Sequence, residues 1–410
     1  MLLYLYFIEF YTINSTVAMM MRKLNKLFEK VFIISFISFI IFTSGFLISL
    51  FIIPFLHSPV KEPHLQISIY DDSDFEKYNF PGSGTESDPY LIENYSYQEQ
   101  GLFKISIFGV SKCFIIRNNI ILSQSSDEGI RIGNVPKNVS IINNVVYGPT
   151  YMHDFEAGIS IYNLNECKII NNTVISKEYG IKVWYSSNCS LQNNRLIKNG
   201  RPIDIRYSSH IDIENNYLKY DESLSGYYTE DALYVKNSEY VSVKGNQIYK
   251  GWLFFSDDSI KTATIEDNYI NGVKIGFFKN LTDFSLNSTT EFGQLLLADC
   301  TNCSFFNLNL SDVNVAIGIY NSSFITCSNC NLSNNVNAGL YIYDSINITI
   351  SQSSFFGNYY GTRVIYSNLR FLDNVFQNNL YGVYISNSNC MFVNNSFIDN
   401  VYHDISTYDY

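Results

Sequence analysis

Helical periodicity is missing from the repeated part of this sequence. No window of a dozen residues there carries apolar side chains at i, i+3 and i+4, which excludes the helical repeat folds. Positive charge is also scarce. The formal net charge is −11, and the first 56 residues contribute +2, which leaves −13 for the remainder. An acidic chain without a basic stripe does not fit a nucleic-acid-binding protein, so no nucleic-acid partner is expected.

A repeat of 22 residues organises the middle of the chain. The segments GISIYNLNECKIINNTVI (158–175) and GIKVWYSSNCSLQNNRLI (180–197) align without a gap, and a period in this range indicates a solenoid. Within each unit apolar residues alternate over short stretches, which is typical of strands. Gly and Asn occupy fixed places suited to tight corners. Such a unit accommodates three short strands and three corners, so the sequence predicts an all-β fold, a parallel β-helix.

The second asparagine of each unit marks the register along the chain. Stacked on successive turns, these side chains are expected to hydrogen-bond to their neighbours above and below. The marker positions indicate about thirteen turns, stacked at strand spacing as one continuous rod. The positions are Asn119, Asn144, Asn172, Asn194, Asn216, Asn246, Asn268, Asn287, Leu308, Cys330, Ser353, Asn374 and Asn395.

The eight cysteines include spacings that suggest zinc ligands or disulfides, such as Cys300-x-x-Cys303. The register places Cys303 in an inward-facing column. We therefore interpret the cysteines as small buried hydrophobes. A disulfide is the alternative, with Cys167 and Cys189 on adjacent turns as the best pair outside a cell, and a metal site is least favoured.

The N-terminal part differs in composition from the repeats. Residues 1–30 end in a basic stretch, and residues 31–56 form an apolar run without a charge that is long enough to span a bilayer. The basic flank predicts a cytoplasmic N-terminus, hence a single-pass protein of the cell membrane with its body outside the cytoplasm. A cleaved signal peptide is the alternative, and it also places the body of the protein outside the cytoplasm. Translation could start at the Met19–Met21 run. Residues 57–80 are interpreted as a stalk and N-terminal cap, and residues 81–410 as the β-helix domain.

The segment PGSGTESDPYLIEN (81–94) resembles the motif G-x-G-[ST]-x-x-[DN]-P-[YF]-x-I that precedes right-handed parallel β-helix proteins of archaea and bacteria. Together with the G-I-x-I and N-N-x-I repeats, the resemblance covers residues 81–400. It is a resemblance to pectin-lyase-like proteins that include the NosD-like periplasmic copper-binding group. It implies a right-handed, single-stranded parallel β-helix. It does not imply one function, because such proteins include lyases, hydrolases, epimerases and adhesins.

Two turns are longer than the others and swell at the same corner. The extra residues are GPTYMHDFE (148–156) and KYDESLSGYYTED (219–231), and insertions at one corner of a solenoid form loops on one face. The two loops are expected to flank a groove about 15 Å wide at strand spacing. Candidate ligand-binding residues in and beneath the loops are Tyr151, His153, Asp154, Glu156, Lys177, Tyr227 and Tyr228. Candidate catalytic residues are Glu178, Arg201, Glu230 and Asp231.

Three functions fit these features. A membrane-anchored surface protein that is structural or binds carbohydrate without catalysis is favoured, because solvated corners of the coil readily carry carboxylates. The alternative is a polysaccharide lyase assisted by Ca²⁺, or a glycoside hydrolase with two close carboxylates. The NosD-like resemblance implies a third function, metal delivery, but no His and Met cluster suited to copper is evident. The Gly-His-Gly pattern of polygalacturonases is absent as well, and no metal ligand is assigned.

Overall fold

Each turn of the chain folds into three short strands separated by corners, which confirms the predicted parallel β-helix. Strands of successive turns pair in parallel and in register, so that Cys167 aligns with Cys189 and Val174 with Leu196. The sheets correspond to about 13 turns. The computed structural model describes residues 66–96, 104–122, 128–136, 138–148, 157–220, 231–249, 251–256, 258–287 and 292–408.

The first coil has three parallel sheets, which we call A, B and C. Sheet A consists of β1 (Ile67–Ile69), β3 (Ile105–Phe108), β6 (Ile130–Gly133), β9 (Ala157–Tyr162), β12 (Tyr179–Trp184), β15 (Arg201–Arg206), β18 (Leu233–Lys236) and β21 (Leu253–Phe255). Sheet B consists of β2 (Tyr90–Glu93), β4 (Phe114–Arg117), β7 (Val139–Ile142), β10 (Cys167–Ile170), β13 (Ser187–Gln192), β16 (Ser209–Glu214), β19 (Glu239–Lys244) and β22 (Thr264–Glu266). Sheet C consists of β5 (Ile120–Leu122), β8 (Val145–Tyr147), β11 (Thr173–Ile175), β14 (Arg195–Asn199), β17 (Tyr217–Tyr220), β20 (Gln247–Tyr249) and β23 (Tyr269–Ile270).

The second coil repeats this plan with sheets D, E and F. Sheet D consists of β24 (Val273–Lys279), β26 (Gln294–Ala298), β29 (Val315–Tyr320), β32 (Ala338–Tyr343), β35 (Tyr360–Ile365), β38 (Tyr381–Ser386) and β41 (His403–Tyr408). Sheet E consists of β25 (Ser285–Asn287), β27 (Ser304–Phe306), β30 (Thr326–Ser328), β33 (Ile348–Ser351), β36 (Asn368–Leu372) and β39 (Asn389–Val393). Sheet F consists of β28 (Asn309–Ser311), β31 (Asn331–Ser333), β34 (Ser354–Phe356), β37 (Val375–Gln377) and β40 (Ser396–Ile398).

Within the described ranges, two short helices accompany the strands. They are α1 (Asp74–Lys77) and a 3₁₀ helix (Asp258–Thr262). Phe75 of α1 is fully buried and stacks 4.6 Å from the ring of Tyr90, so α1 covers the start of the first coil. Because β1 pairs with β3, part of the segment 57–80 contributes a strand to sheet A. The sequence-based division into 1–30, 31–56, 57–80 and 81–410 otherwise stays a prediction.

Asparagine doublets serve two purposes at the corner after sheet B. The first residue of a doublet adopts a left-handed backbone, with φ of 56° at Asn171 and 55° at Asn193, which asparagine tolerates better than most residues. The second residue turns its side chain into the coil. Asn194 is almost fully buried, and its Oδ1 accepts a hydrogen bond from the backbone amide of Asn172 at 2.9 Å. Each doublet therefore both turns the chain and connects one turn to the next.

The predicted asparagine ladder is confirmed except at one position. It runs without a break from Asn119 to Asn268, and it resumes from Ser353 to Asn374 and Asn395 in the second coil. The assignment of Asn287 is wrong, because Asn287 pairs with Phe306 and so precedes the marker level of Leu308 by two residues. The equivalent position is residue 289, which lies outside the described ranges. The sequence register slips there because the repeat is irregular between the two coils.

A second asparagine ladder in the second coil was not predicted. At the corner after sheet F, the Oδ1 atoms of Asn358, Asn379 and Asn400 accept hydrogen bonds from the backbone amides of Asn335, Asn358 and Asn379 at 2.9–3.1 Å. Asn335 and Asn379 are buried. The second coil thus has its own internal hydrogen-bonding column. At the equivalent corner of the first coil, Asn199 Oδ1 accepts a hydrogen bond from the amide of Lys177 at 3.0 Å.

A tight hairpin joins the two coils. Asn271 and Gly272 in its turn have φ angles of 50° and 82°, which are typical of a two-residue hairpin turn. β23 and β24 pair in antiparallel fashion on either side of the turn. Sheets C and D therefore form one 14-stranded sheet, and the single continuous rod predicted from the sequence is interrupted here.

The antiparallel pair also exchanges the two sides of the sheet. Ile270 belongs to the core of the first coil and pairs with Val273, so both side chains point to the same side. Side chains alternate along a strand, which places Phe278 on the opposite side, where it packs against buried Phe305 of the second coil. The core of the second coil therefore lies on the outer side of sheet C, and the outer surface of sheet D faces the end of the first coil.

No helix in the described ranges is both long enough and apolar enough to cross a membrane. The predicted membrane span, residues 31–56, lies outside those ranges.

Candidate functional site

The corner that precedes sheet A holds two candidate residues in buried positions. Lys177 and Glu178 are each 2 % exposed. The backbone carbonyl of Glu178 accepts a hydrogen bond from the amide of Arg201 on the next turn, at 2.6 Å. The interpretation of this corner as solvated is therefore wrong for these two residues. Because burial of a charged side chain is unfavourable without partners, the corner is an organised part of the fold.

The other residues of the predicted groove lie outside the part of the chain that the structure describes. The loops 149–156 and 221–230 are not among the described residues, so the groove between them stays a prediction. The residues concerned are Tyr151, His153, Asp154, Glu156, Tyr227, Tyr228 and Glu230.

Arg201, at the start of β15, is held by two fully buried carboxylates. Its Nη1 donates to Asp204 Oδ2 at 2.7 Å, and its Nη2 donates to Asp231 Oδ2 at 2.9 Å. Burial by itself lowers the pKa of Arg201, but the charges of Asp231 and Asp204 outweigh burial and raise this pKa above its usual value. The structure thus brings together the candidates Arg201 and Asp231, and it adds Asp204, which the sequence did not single out.

Two indole groups and a second arginine complete the hydrogen bonding of these aspartates. Trp184 Nε1 donates to Asp204 Oδ1 at 2.7 Å, and Trp252 Nε1 donates to Asp231 Oδ1 at 2.6 Å. Arg206 Nε also donates to Asp204 Oδ1, at 2.8 Å. Both aspartates are fully buried, so these donors enclose their carboxylates within the fold.

A row of rings and cations lies on the outer surface of sheet A. Lys182 Nζ is 4.6 Å from the ring centroid of Tyr179 and 4.8 Å from that of Trp184. The guanidinium carbon of Arg206 is 4.9 Å from the ring centroid of Trp184 and 5.1 Å from that of Tyr234. Trp184, Arg206 and Tyr234 remain partly exposed. We call this row the cation–aromatic strip; it consists of Tyr179, Lys182, Trp184, Arg201, Arg206 and Tyr234.

The strip has a signal in the sequence that the search at the corners missed. In GIKVWY (180–185), PIDIRY (202–207) and ALYVKN (232–237), alternate apolar residues point inward, so the residues between them point outward. The outward residues Lys182, Asp204 and Tyr234 are register partners on consecutive turns. Reading these outward positions as a column would have found the strip.

A neighbouring row of exposed tyrosines is a structural stack. Tyr185 and Tyr207 lie on successive turns, with ring centroids 4.8 Å apart and planes at 7°. Tyr162 packs against Tyr185 at 5.3 Å. The stacked rings cover each other's faces, and sugar rings pack on exposed aromatic faces. This row therefore stabilises the corner. In the strip, Trp184 and Tyr234 are partly exposed and Tyr179 is buried.

The described residues contain no group of three or more His, Cys, Asp or Glu side chains arranged to hold a metal ion. All eight cysteines are free, and seven of them are buried, which agrees with their interpretation as small buried hydrophobes. Burial raises the pKa of Cys167 well above its usual value. The pair Cys167 and Cys189 is aligned across adjacent strands as the repeat predicts.

The comparison with known families agrees with this architecture. The model of the right-handed beta helix region matches residues 157–290 and 259–409. The chain belongs to this family. The NosD-like subgroup stays a prediction, and no curated protein matches the sequence.

Among solved structures, the chain is similar to PfbA, a surface adhesin of Streptococcus pneumoniae, with 12 % identity, a TM-score of 0.36, and 82 % of this chain and 93 % of that chain covered. It is also similar to the catalytic domain of a GH87 alpha-1,3-glucanase in complex with nigerose, with 12 % identity, a TM-score of 0.35 and coverage of 86 % and 69 %. The A-module of the Azotobacter vinelandii mannuronan C-5 epimerase AlgE4 has 10 % identity, a TM-score of 0.33 and coverage of 83 % and 99 %.

Proposed function

We propose that this protein binds carbohydrate on the outer surface of sheet A and does not turn it over. The observation that carries the proposal is the cation–aromatic strip. Its partly exposed rings, Trp184 and Tyr234, offer apolar surface to the C–H groups of sugars, and the partly exposed Arg206 offers charge-assisted hydrogen bonds to hydroxyl or acidic groups. Such a combination of aromatic surface with a few placed polar groups is typical of ligand sites.

The same network argues against catalysis by the carboxylates nearest to the strip. Asp204 and Asp231 share Arg201 between them, and each also accepts a hydrogen bond from an indole N–H. A glycoside hydrolase needs one carboxyl group that can give up a proton and a second that acts as base or nucleophile. Asp204 and Asp231 are both fully buried, so neither carboxylate is accessible to a glycosidic bond in these positions.

A binding experiment with the full chain tests this function. Trp184→Ala is expected to weaken binding to a glycan recognised on an array at least tenfold, because it removes the ring shared by Lys182 and Arg206. Tyr240→Ala is the matched control, since this exposed tyrosine lies near the start of β19 in sheet B and outside the strip. Equal loss in both variants, or release of oligosaccharide by the wild type, would overturn the proposal.

A second candidate function is polysaccharide cleavage, by a lyase or a hydrolase. It is favoured by one observation, the burial of Glu178 directly beside Arg201 on the adjacent turn. In this case an acidic polysaccharide would be shortened by the wild type, and Glu178→Gln would abolish product formation while binding persisted. Chromatography of the incubated polysaccharide separates this function from simple binding.

Display of the β-helix outside the cytoplasm is part of the proposal. Its support is the apolar run 31–56 with its basic N-terminal flank. Protease added to intact cells is expected to digest the β-helix of the full chain, and complete protection would refute this location.

A further inference from the structure

The sequence after the predicted membrane span contains twelve Asn-x-Ser/Thr motifs, which are acceptor signals for N-linked glycans. Eight of them begin at or after Asn280, so the motif is concentrated in the part of the chain that forms the second coil. A chain rich in asparagine and serine acquires such motifs by composition as well. The place of each motif in the fold therefore decides whether it is a good acceptor.

Strand geometry presents two of these motifs to solvent. In Asn347-Ile348-Thr349, Ile348 is fully buried, whereas Asn347 is exposed and Thr349 is half-buried on β33. Because side chains alternate along a strand, the inward Ile348 places the amide and the hydroxyl together on the outer surface. Asn302-Cys303-Ser304, two turns earlier, has the same arrangement around buried Cys303.

Both asparagines lie at the corner between sheets D and E. Their backbones are left-handed, with φ of 53° at Asn302 and 54° at Asn347, and both side chains are exposed. Asn302 Nδ2 donates to Asp283 Oδ1 at 2.5 Å. A glycosidic bond replaces one of the two hydrogens of an amide nitrogen, so the other hydrogen can keep this contact. The corner therefore accepts a sugar without a change of the backbone.

An exposed apolar ring lies between the two asparagines. Phe324 occupies the same position on the turn between them, two residues before Thr326 of the register. It is 56 % exposed and has a φ of 55°, an uncommon backbone for a bulky residue. Its amide donates to the carbonyl of Ile346 at 3.1 Å, and Ile346 is itself 50 % exposed. We call this surface, formed by Asn302, Phe324, Ile346 and Asn347, the acceptor corner.

We propose that Asn302 and Asn347 carry N-linked glycans whose first sugars pack on Phe324. The donor is a lipid-linked oligosaccharide. Nδ2 of the asparagine attacks the anomeric carbon of this donor, a C–N bond forms, and the C–O bond to the lipid phosphate breaks. The phosphate leaves with the bonding electron pair, and the proton released from Nδ2 passes to solvent.

The spacing of the turns explains the exposed ring. Successive turns are about 4.8 Å apart, so a sugar attached to either asparagine lies beside Phe324, and the C–H groups of the sugar can cover one face of the ring. An apolar surface flanked on both sides by acceptor motifs thus has an occupant supplied by the chain itself. Within the described residues, no strand of sheet A contains such a motif, so these glycans leave the cation–aromatic strip uncovered.

This inference rests on the display outside the cytoplasm that is part of the proposed function, and it is independent of carbohydrate binding by the strip. The test isolates the full chain from the cells that produce it and analyses its peptides by mass spectrometry. The peptides that contain Asn302 and Asn347 are each expected to carry a glycan on the asparagine. Thr349→Ala is expected to abolish the glycan at Asn347 and to keep the one at Asn302, whereas Thr349→Ser keeps both.

Thr326→Ala is the matched control, because Thr326 is the register partner of Thr349 on the previous turn and belongs to no motif. It is expected to keep both glycans. The packing on Phe324 is tested by hydroxyl-radical labelling of this ring. Labelling is expected to rise about twofold when the glycans are removed enzymatically, since one face of the ring is freed.

The outcomes separate this inference from the proposed function. Glycans at other motifs with Asn302 and Asn347 unmodified would refute the acceptor corner. Unmodified peptides throughout, from cells in which added protease digests the β-helix, would refute glycosylation and leave the display intact. Unmodified peptides from a protein protected against protease would overturn both. Equal labelling of Phe324 before and after removal of the glycans would refute the packing.

Discussion

Asn194 is the position at which the asparagine ladder can be tested most directly. Its Oδ1 accepts hydrogen bonds from the backbone amide and the Nδ2 of Asn172, at 2.9 and 3.1 Å. Its Nδ2 donates to the carbonyl of Ile169 at 2.8 Å and to Asn216 Oδ1 at 3.0 Å. All of these contacts are buried. Replacement of Asn194 by alanine therefore removes four hydrogen bonds at once.

The magnitude follows from what the substitution leaves behind. Asn172 Nδ2 keeps its hydrogen bonds to Ile141 and Ile170, whereas the backbone amide of Asn172 and the carbonyl of Ile169 lose a buried partner. Each unsatisfied buried group costs about 1–3 kcal/mol. We therefore expect Asn194→Ala to lower the free energy of unfolding by about 3 kcal/mol, which is a large share of the 5–15 kcal/mol typical of a domain.

Hydrogen exchange at the Asn172 amide provides the measurement, because exchange reports the local opening of a solenoid turn. Asn194→Ser is expected to lose about half as much stability as Asn194→Ala, because a serine can accept the same backbone hydrogen bond. Ser353 does so at another marker position, where its Oγ accepts from the amide of Cys330 at 3.1 Å. Asn165→Ala, at an exposed corner, is the control. A change within about 0.5 kcal/mol for Asn194→Ala, the range of ordinary surface substitutions, would refute the ladder as a source of stability.

Three further predictions concern the charge network, the hairpin and a buried phenol. Asp204→Ala is expected to destabilise the protein by about 3–5 kcal/mol in urea unfolding, because it leaves Arg201 without one of its two carboxylates in a buried site. Asp212→Ala, at an exposed position, should change stability by less than about 0.5 kcal/mol, and similar values for the two variants would contradict this. Gly272→Val is expected to lower the free energy of unfolding by about 1–2 kcal/mol because residue 272 has a positive φ, whereas Gly272→Asn should keep most of this stability. Thermal melting of both variants tests this, and equal stability of the two would refute backbone strain as the cause. Burial raises the pKa of Tyr179 to about 12 from 10.0. The stability that this phenol contributes is therefore complete below pH 10.0 and is lost as the pH rises through the folded-state pKa. In alkaline unfolding followed by circular dichroism, the fall of stability with pH should be shallower for Tyr179→Phe, and an unchanged profile would contradict this.

The sequence predicted the repeating unit in detail because every turn has the same local requirements for corners and for inward-facing residues. Residues such as Asn172 and Asn194 recur where the backbone needs a left-handed residue followed by a buried amide. Cys167 and Cys189 recur in an inward column of apolar side chains, which Val139 and Ile211 continue on the neighbouring turns. These requirements act within about 22 residues, so a comparison of neighbouring segments reveals them. The register prediction fails at Asn287, where an irregular turn follows the hairpin and no neighbouring repeat specifies the position.

The candidate site was predicted less completely, for a different reason. Arg201 and Asp231 were singled out because they lie next to an unusually long turn, and the structure places them in one ion-paired network. Asp204 was not singled out, because nothing in its own repeat distinguishes it from other outward residues. The burial of Tyr341 likewise depends on the first coil, whose Trp252 and Phe254 pack against its ring.

The sequence by itself determined that this chain winds into a parallel β-helix and which side chains face its interior, because strand alternation and corner chemistry are local and are repeated on every turn. Only the tertiary structure decided how the two coils meet. The antiparallel pairing of β23 with β24 exchanges the inner and outer sides of a shared sheet, and a short turn of Asn271 and Gly272 does not reveal this in its sequence. Which outward residues are covered therefore follows from contacts between residues about 90 positions apart, such as Trp252 and Tyr341, which no repeat pattern records.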